Sequence, residues 1–215
     1  MSITQKYPYI VIEGPIGSGK TTLARKLADH FSAQLLLENA GANPFLPKFY
    51  EDPSRHALAT QLFFLFQRAE QLQGLEQPDL FGTPVIADFF LDKDPLFARL
   101  TLNDTEFNLY RTIYNHLQPQ TRTPDLVLYL QAPVETMMER IYKRAIHYEQ
   151  HIGRDYLERL AATYSEFFHQ YDASPLLIVN NEHLDVSTSE DAFNLLLERI
   201  DSLRGQREYF NPNLE

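Results

Sequence analysis

The chain has 215 residues, of which 44% are hydrophobic; 29 acidic side chains against 19 basic ones leave a net charge of -10, and there is no cysteine. The acid excess argues against a general nucleic-acid binder, and the missing thiols exclude a disulfide framework and a thiolate metal site. No apolar run is long enough to span a membrane, and the start, MSITQKY, lacks a signal-peptide hydrophobic segment, so a cytoplasmic α/β protein is expected, with one domain over 1–204 and a tail over 205–215.

Taken in order, Tyr9–Ile12 is a short apolar run that reads as a buried strand. It enters Gly14-Pro15-Ile16-Gly17-Ser18-Gly19-Lys20-Thr21, and the TTLARKLADHF that follows places Leu23, Leu27, Ala28 and Phe31 on one helical stripe. A second strand is expected over 34–38, ending in Glu38, followed by an Asn-, Gly- and Pro-rich loop with one helical turn. A long, well-buried helix is predicted from Ser54 to Leu75, then a turn at Gly82 and a third strand, VIAD, closing on Asp88. Asn103–Leu117 reads as a helix capped by Asn103 or Asp104, and Pro124–Leu130 as a fourth strand. A helix from Pro133 to Arg144 follows, then a break over 145–151, a helix over Asp155–Tyr171 and a fifth strand over 175–180. The closing helix spans Ser189–Leu203, with Ser187 or Ser189 as cap. Five strands alternating with helices predict a mostly parallel sheet covered on both faces, with ligands at the carboxyl ends of its strands.

The segment 14–21 matches G-x-x-x-x-G-K-[ST] in a strand–loop–helix context. In that arrangement backbone N–H groups of the loop and of the helix start cradle phosphates. Lys20 can then reach the β- and γ-phosphates, and the Thr21 hydroxyl, next to Thr22, can bind Mg²⁺. This points to ATP or a similar nucleotide without naming the reaction. Glu38 and Asp88 put carboxylates at two strand ends beside that loop.

Six stretches in order resemble the deoxynucleoside kinases of the bacterial deoxyguanosine and deoxyadenosine kinase type: EGPIGSGKTTLA (13–24), LLENAGANPFLPKFY (36–50), TQLFFLFQR (60–68), VIADFFLDKDPLFA (85–98), RIYKRAIHYE (140–149) and the DYLERL after them. The resemblance implies a P-loop kinase fold with a five-stranded parallel sheet, helices on both faces and a short lid. It implies transfer of the ATP γ-phosphate to a deoxynucleoside 5′-hydroxyl in nucleotide salvage, with Mg²⁺, and a homodimer; charge and hydropathy add the expectation of no nucleic-acid and no membrane partner. By the same resemblance Glu38 is the general base, Tyr50 and Glu149 hold the sugar 3′-hydroxyl, and Gln61 and Arg68 read the base. Arg140 and Arg144 belong to the lid over the phosphates. Gln61 and Arg68, seven residues apart, share a helix face. Each of these residues also has a plain reading: a solvated strand-end Glu, a half-buried Tyr, a surface ion pair, a solvated helix face.

Two departures from the family stand out. Glu-Arg-Ser after the third strand becomes Ala87-Asp88-Phe89, so an arginine is replaced by Asp88, which also looks like a carboxylate able to hold Mg²⁺. Arg-x-Arg in the lid becomes Arg144-Ala145-Ile146. Lys93 and Arg99 are the candidate replacement cations. Lys93 stands where pyrimidine-active relatives have Asp, which favours a purine substrate. A nucleoside monophosphate kinase and a catalytically weak nucleotide-binding regulator are the alternatives; the chain has no Asn-Lys-x-Asp guanine-reading motif.

Overall fold

The computed structural model describes residues 2–73, 82–117, 122–182, 186 and 188–212. A one-turn helix α1 (Ile3–Lys6) leads into β1 (Tyr9–Glu13), α2 (Lys20–Phe31), β2 (Gln34–Leu36), α3 (Leu46–Glu51), α4 (Pro53–Gln73), β3 (Val85–Ala87) and α5 (Asp94–Thr101). Then come α6 (Asp104–Leu117), β4 (Leu126–Gln131), α7 (Val134–Arg144), α8 (Arg154–Gln170), β5 (Leu176–Asn180), α9 (Glu190–Ser202) and β6 (Arg207–Phe210). Short 3₁₀ turns sit at Ala40–Ala42, Leu91–Lys93 and His147–His151.

The strands are parallel in the order β2-β3-β1-β4-β5-β6. Because side chains alternate along a strand, β1 sends Ile10 and Ile12 to one face and Tyr9 and Val11 to the other. The first face packs on Leu23 and Leu27 of α2 and on Phe193 and Leu196 of α9. The second meets Leu160, Tyr164 and Phe168 of α8. A third apolar cluster, around Leu65, Phe89 and Tyr110, ties α4, α5 and α6 together. Asn103 caps α6 by accepting from the Glu106 N–H at 3.0 Å, and Ser189 caps α9 by accepting from Ala192 at 3.3 Å.

Several expectations need correcting. The sheet has six strands rather than five, because 207–210, assigned to a tail, form β6 beside β5. That segment is charged and lacks the apolar run that marks the other strands. It is held by backbone pairing, by Arg207 donating to the Tyr171 carbonyl (2.7 Å) and by Glu208 on Arg199 (2.6 Å). Helix α5 went unanticipated. Strand β2 ends at Leu36, so Glu38 lies on the loop beyond it. Positions 74–75 of the long helix, the alternative cap Ser187 and residues 213–215 lie outside the described residues. Among the described residues no helix is long and apolar enough to cross a membrane.

Candidate active site

Order reverses at β1, which lies between β3 and β4, and in open parallel sheets ligands bind at such a switch point. The phosphate loop leaves β1 there. Its backbone leaves no room for side chains: a Cβ on Gly14 would stand 2.6 Å from the Leu130 carbonyl oxygen, and one on Gly17 2.7 Å from that of Met137. Gly17 also has φ of +83°, a left-handed value that favours glycine. Lys20 Nζ donates to the Pro15 carbonyl at 3.1 Å. Burial lowers the Lys20 pKa, and the nearby Lys93 charge lowers it further. Arg140 braces the loop from α7, donating to the Ser18 carbonyl at 3.2 Å, while the Asn181 amide donates to the same oxygen at 2.9 Å.

Beside the loop lies a web of buried charge drawn from segments far apart in the chain. Arg68 on α4 reaches both Glu38 Oε1 and Asp94 Oδ1. Lys93 Nζ stands 2.9 Å from Glu13 Oε1 and 3.9 Å from Glu38 Oε2. Glu13, the last residue of β1, also accepts from the N–H groups of Gly14 (3.1 Å) and Phe90 (3.2 Å) and from the Tyr164 hydroxyl (3.2 Å). Burial works to raise the Glu38 pKa, but the Arg68 and Lys93 charges outweigh it and hold the carboxyl down at about 2. Asp94, 1% exposed, is pushed the other way: burial lifts it to about 7 against the pull of Arg68 and Lys93. Asp88 joins the loop to this web, accepting from the Thr21 hydroxyl at 2.5 Å and from the Glu38 backbone N–H at 2.7 Å.

Two adjoining clefts open over these groups. One, of about 350 Å³, is lined by Glu38, Tyr50, Gln61, Arg68, Asp88 and Glu149, together with Phe64, Tyr148 and Tyr156. The other, of about 360 Å³, is lined by Gly17, Gly19, Thr22, Arg140, Lys143 and Thr188. Both volumes suit a small molecule. Ile16, Lys20, Thr21 and Arg144 belong to both walls, so the two clefts meet over the phosphate loop, the arrangement a transfer between two bound molecules needs.

The structure thus brings most of the expected site residues together. Gly14, Pro15 and Ser18 line neither cleft and shape the loop instead. Gln61, buried, donates to the Thr101 hydroxyl at 3.3 Å. The Arg68 guanidinium lies 4.9 Å from the centre of the Phe64 ring, whereas Phe66 is 51% exposed and points elsewhere. Tyr50 stacks on Tyr148, the rings 8° from parallel. Burial drives the Tyr50 pKa up, with Tyr156 and Glu149 adding to the effect, so its hydroxyl stays a donor. Arg144 is committed to Glu149, through Nε (2.9 Å) and Nη2 (2.6 Å) on Oε2. Arg99 pairs with Asp104 at the surface and is not a replacement cation at the site; Lys93 is in it.

Glu13, Asp94, Tyr148, Tyr156 and Tyr164 were not anticipated. For Glu13 the signal was present: a carboxylate ending an apolar strand at the mouth of a phosphate loop. Asp94 carried none, because a charged residue in LDKDPLF reads as solvated until α5 is seen to bury it. Thr21 and Asp88 offer oxygen donors suited to a hard divalent cation. Among the described residues no three His, Asp or Glu side chains cluster for one, so the rest of such a coordination shell would have to come from phosphate and water, as in nucleotide sites.

The deoxynucleoside kinase family model matches residues 10–203. A deoxyguanosine kinase of Bacillus subtilis is 34% identical over 201 residues, covering 91% of this chain and 97% of its own. A deoxyadenosine kinase of Lactobacillus acidophilus is 30% identical over 207 residues, covering 89% and 94%. Among solved structures, the deoxyadenosine kinase from M. mycoides with products dCMP and a flexible dCDP bound superposes with a TM-score of 0.79 at 28% identity, over 90% of this chain and 99% of that one.

Proposed function

The chain belongs to the deoxynucleoside kinase family, an ATP-dependent kinase acting on a deoxynucleoside, and we propose that its acceptor is deoxyguanosine or deoxyadenosine, bound in the cleft of Glu38, Gln61 and Arg68. ATP occupies the adjoining cleft, with its phosphates on the loop N–H groups and Lys20. The observation that carries this reading is the state of Glu38. Arg68 occupies its Oε1, and Oε2 remains for an acceptor in the cleft that Glu38 lines. A carboxylate held near pKa 2 stays ionised, so it accepts and aligns the 5′-hydroxyl and takes the proton late, as a loose phosphoryl-transfer transition state allows.

Tyr50 and Glu149 supply a donor and an acceptor for the sugar 3′-hydroxyl, and Gln61 and Arg68 face the base. Thr21 and Asp88 would hold Mg²⁺, which neutralises charge on the β- and γ-oxygens. The acid-rich acceptor cleft does not suit a monophosphate acceptor: Glu38 and Glu149 occupy the cations Arg68 and Arg144 that would otherwise meet a second phosphate. The purine preference follows the two bacterial relatives. Exposed Phe66 on α4 and Leu109 on α6 support association of two copies, a state sedimentation would read directly. The setting is the cytoplasmic salvage of nucleosides.

An assay of ADP formation with ATP, Mg²⁺ and each of the four deoxynucleosides, plus dTMP and dGMP, tests the reading. Turnover on deoxyguanosine or deoxyadenosine is the expected result. Turnover confined to monophosphates would overturn it.

A further inference from the structure

Lysine side chains are rarely buried, since an ammonium loses much of its hydration free energy on leaving water. Lys93 is 1% exposed, at the end of the 3₁₀ turn that precedes α5. Its ammonium meets Glu13 at 2.9 Å, lies 3.9 Å from Glu38 Oε2, and lines the acceptor cleft. Glu13 also accepts from Gly14, Phe90 and Tyr164, which fixes its carboxylate and with it the placement of the ammonium it pairs with. Lys93 Nζ lies within ion-pair distance of the Glu38 oxygen that Arg68 does not bond. An oxygen atom hydrogen-bonded to Glu38 Oε2 is therefore within reach of an N–H of Lys93. The same charge bears on Lys20 of the phosphate loop, and Lys20 lines both clefts.

We infer that Lys93 is a catalytic residue, donating to the 5′-oxygen and the transferring phosphoryl group, with Glu13 as its positioning residue. The inference rests on the reading of Glu38 as the group that meets the 5′-hydroxyl. In the step, the 5′-oxygen bonds to the γ-phosphorus while the bond from that phosphorus to the β,γ-bridging oxygen breaks, and its electron pair leaves with ADP. The hydroxyl proton passes to Glu38 Oε2. Lys93 stabilises the negative charge shared between entering oxygen and phosphoryl oxygens.

The rival role is neutralisation of Glu13 alone, and a pair of variants separates the two. Lys93→Met should lower kcat by roughly 100-fold or more, as loss of one preorganised donor does, while KM for ATP stays within about threefold because Lys93 lines only the acceptor cleft. Glu13→Gln/Lys93→Met removes both buried charges together, so it folds even where the single variant leaves Glu13 unpaired. The double variant should regain the melting temperature but not kcat. Recovery of kcat in it to within about tenfold of the wild-type chain would overturn the inference and leave Lys93 a counter-ion. The wild-type chain in the same assay isolates the other failure: no turnover on any deoxynucleoside sinks the reading of the site itself.

Discussion

Replacing Arg68 by methionine removes the cation that joins Glu38 to Asp94, and the structure states what is left behind. Arg68 and Asp94 side chains are 4% and 1% exposed, and that of Glu38 is 19% exposed. Methionine fills most of the volume, so the loss is chiefly electrostatic. Removing one partner of a buried ion pair costs about 3–5 kcal/mol, because the other charge stays in place without compensation. Here two carboxylates lose the same partner, but Asp94 can relieve itself by binding a proton, since burial already lifts it to about 7. The expected loss therefore stays near that range, which for a chain of this size lowers the melting temperature by roughly 10 °C. Urea unfolding at pH 7.5 measures it, with an unchanged m-value showing that the folded state keeps its extent. The double variant Arg68→Met/Asp94→Leu should recover most of the loss, leaving the part-exposed Glu38 with Lys93 as its neighbouring cation. A loss under about 1 kcal/mol for Arg68→Met would refute the argument, because it would make the web no stronger than a surface pair.

Glu38→Gln should reduce kcat by roughly 10²–10⁴-fold, with ATP affinity by calorimetry unchanged; an unaltered kcat would remove Glu38 from the chemistry. Glu149→Ala should narrow the preference for a deoxynucleoside over its 3′-deoxy analogue, since the 3′-hydroxyl loses its acceptor; a ratio equal to the wild type would dismiss the sugar contact. Gly17→Ala forces a Cβ to 2.7 Å from the Met137 carbonyl at a left-handed φ, so nucleotide affinity and stability should both fall, the latter by about 1–3 kcal/mol; normal ATP binding would contradict the tight loop. Asp94 keeps its proton in the folded chain up to about pH 7, whereas the unfolded chain releases it near its ordinary value of 3.8. It therefore contributes stability below that value that is lost as pH rises toward 7. Glu38, lowered from 4.5 to about 2, has the opposite sign and loses its contribution as pH falls through that window. Melting temperatures from pH 5 to 8 should decline, and Asp94→Asn should flatten the decline; an identical slope in the variant would rule Asp94 out as its source.

The phosphate loop, the four central strands and the helices that cover them were legible because their signals are local. A run such as LVLYL between turn residues, or a glycine spacing that opens a helix, needs no information from elsewhere in the chain. Glu38, Gln61, Arg68 and Glu149 were singled out through resemblance alone, and the structure lines one cleft with all four. Helix α5 was missed because DPLFARLT is one short segment with a proline in its first turn, indistinguishable from loop until Ala98 is seen packed against α4 and α6. Strand β6 was missed because REYF earns its place through backbone bonds to β5 rather than through an apolar pattern.

By itself, then, the sequence determined a parallel α/β sheet with a nucleotide phosphate loop at its centre, since periodicity and turn chemistry act over a few residues at a time. Which charges are buried, and against which partners, only the tertiary structure decided. Glu13, Glu38, Arg68 and the adjacent pair Lys93 and Asp94 come from four separate stretches of chain, and no local pattern shows that they are buried against one another. Folding removes them from water together, and at that point Coulomb attraction to Arg68 and Lys93 holds Glu38 ionised, while burial, which outweighs the same attraction at Asp94, lets that carboxyl keep a proton.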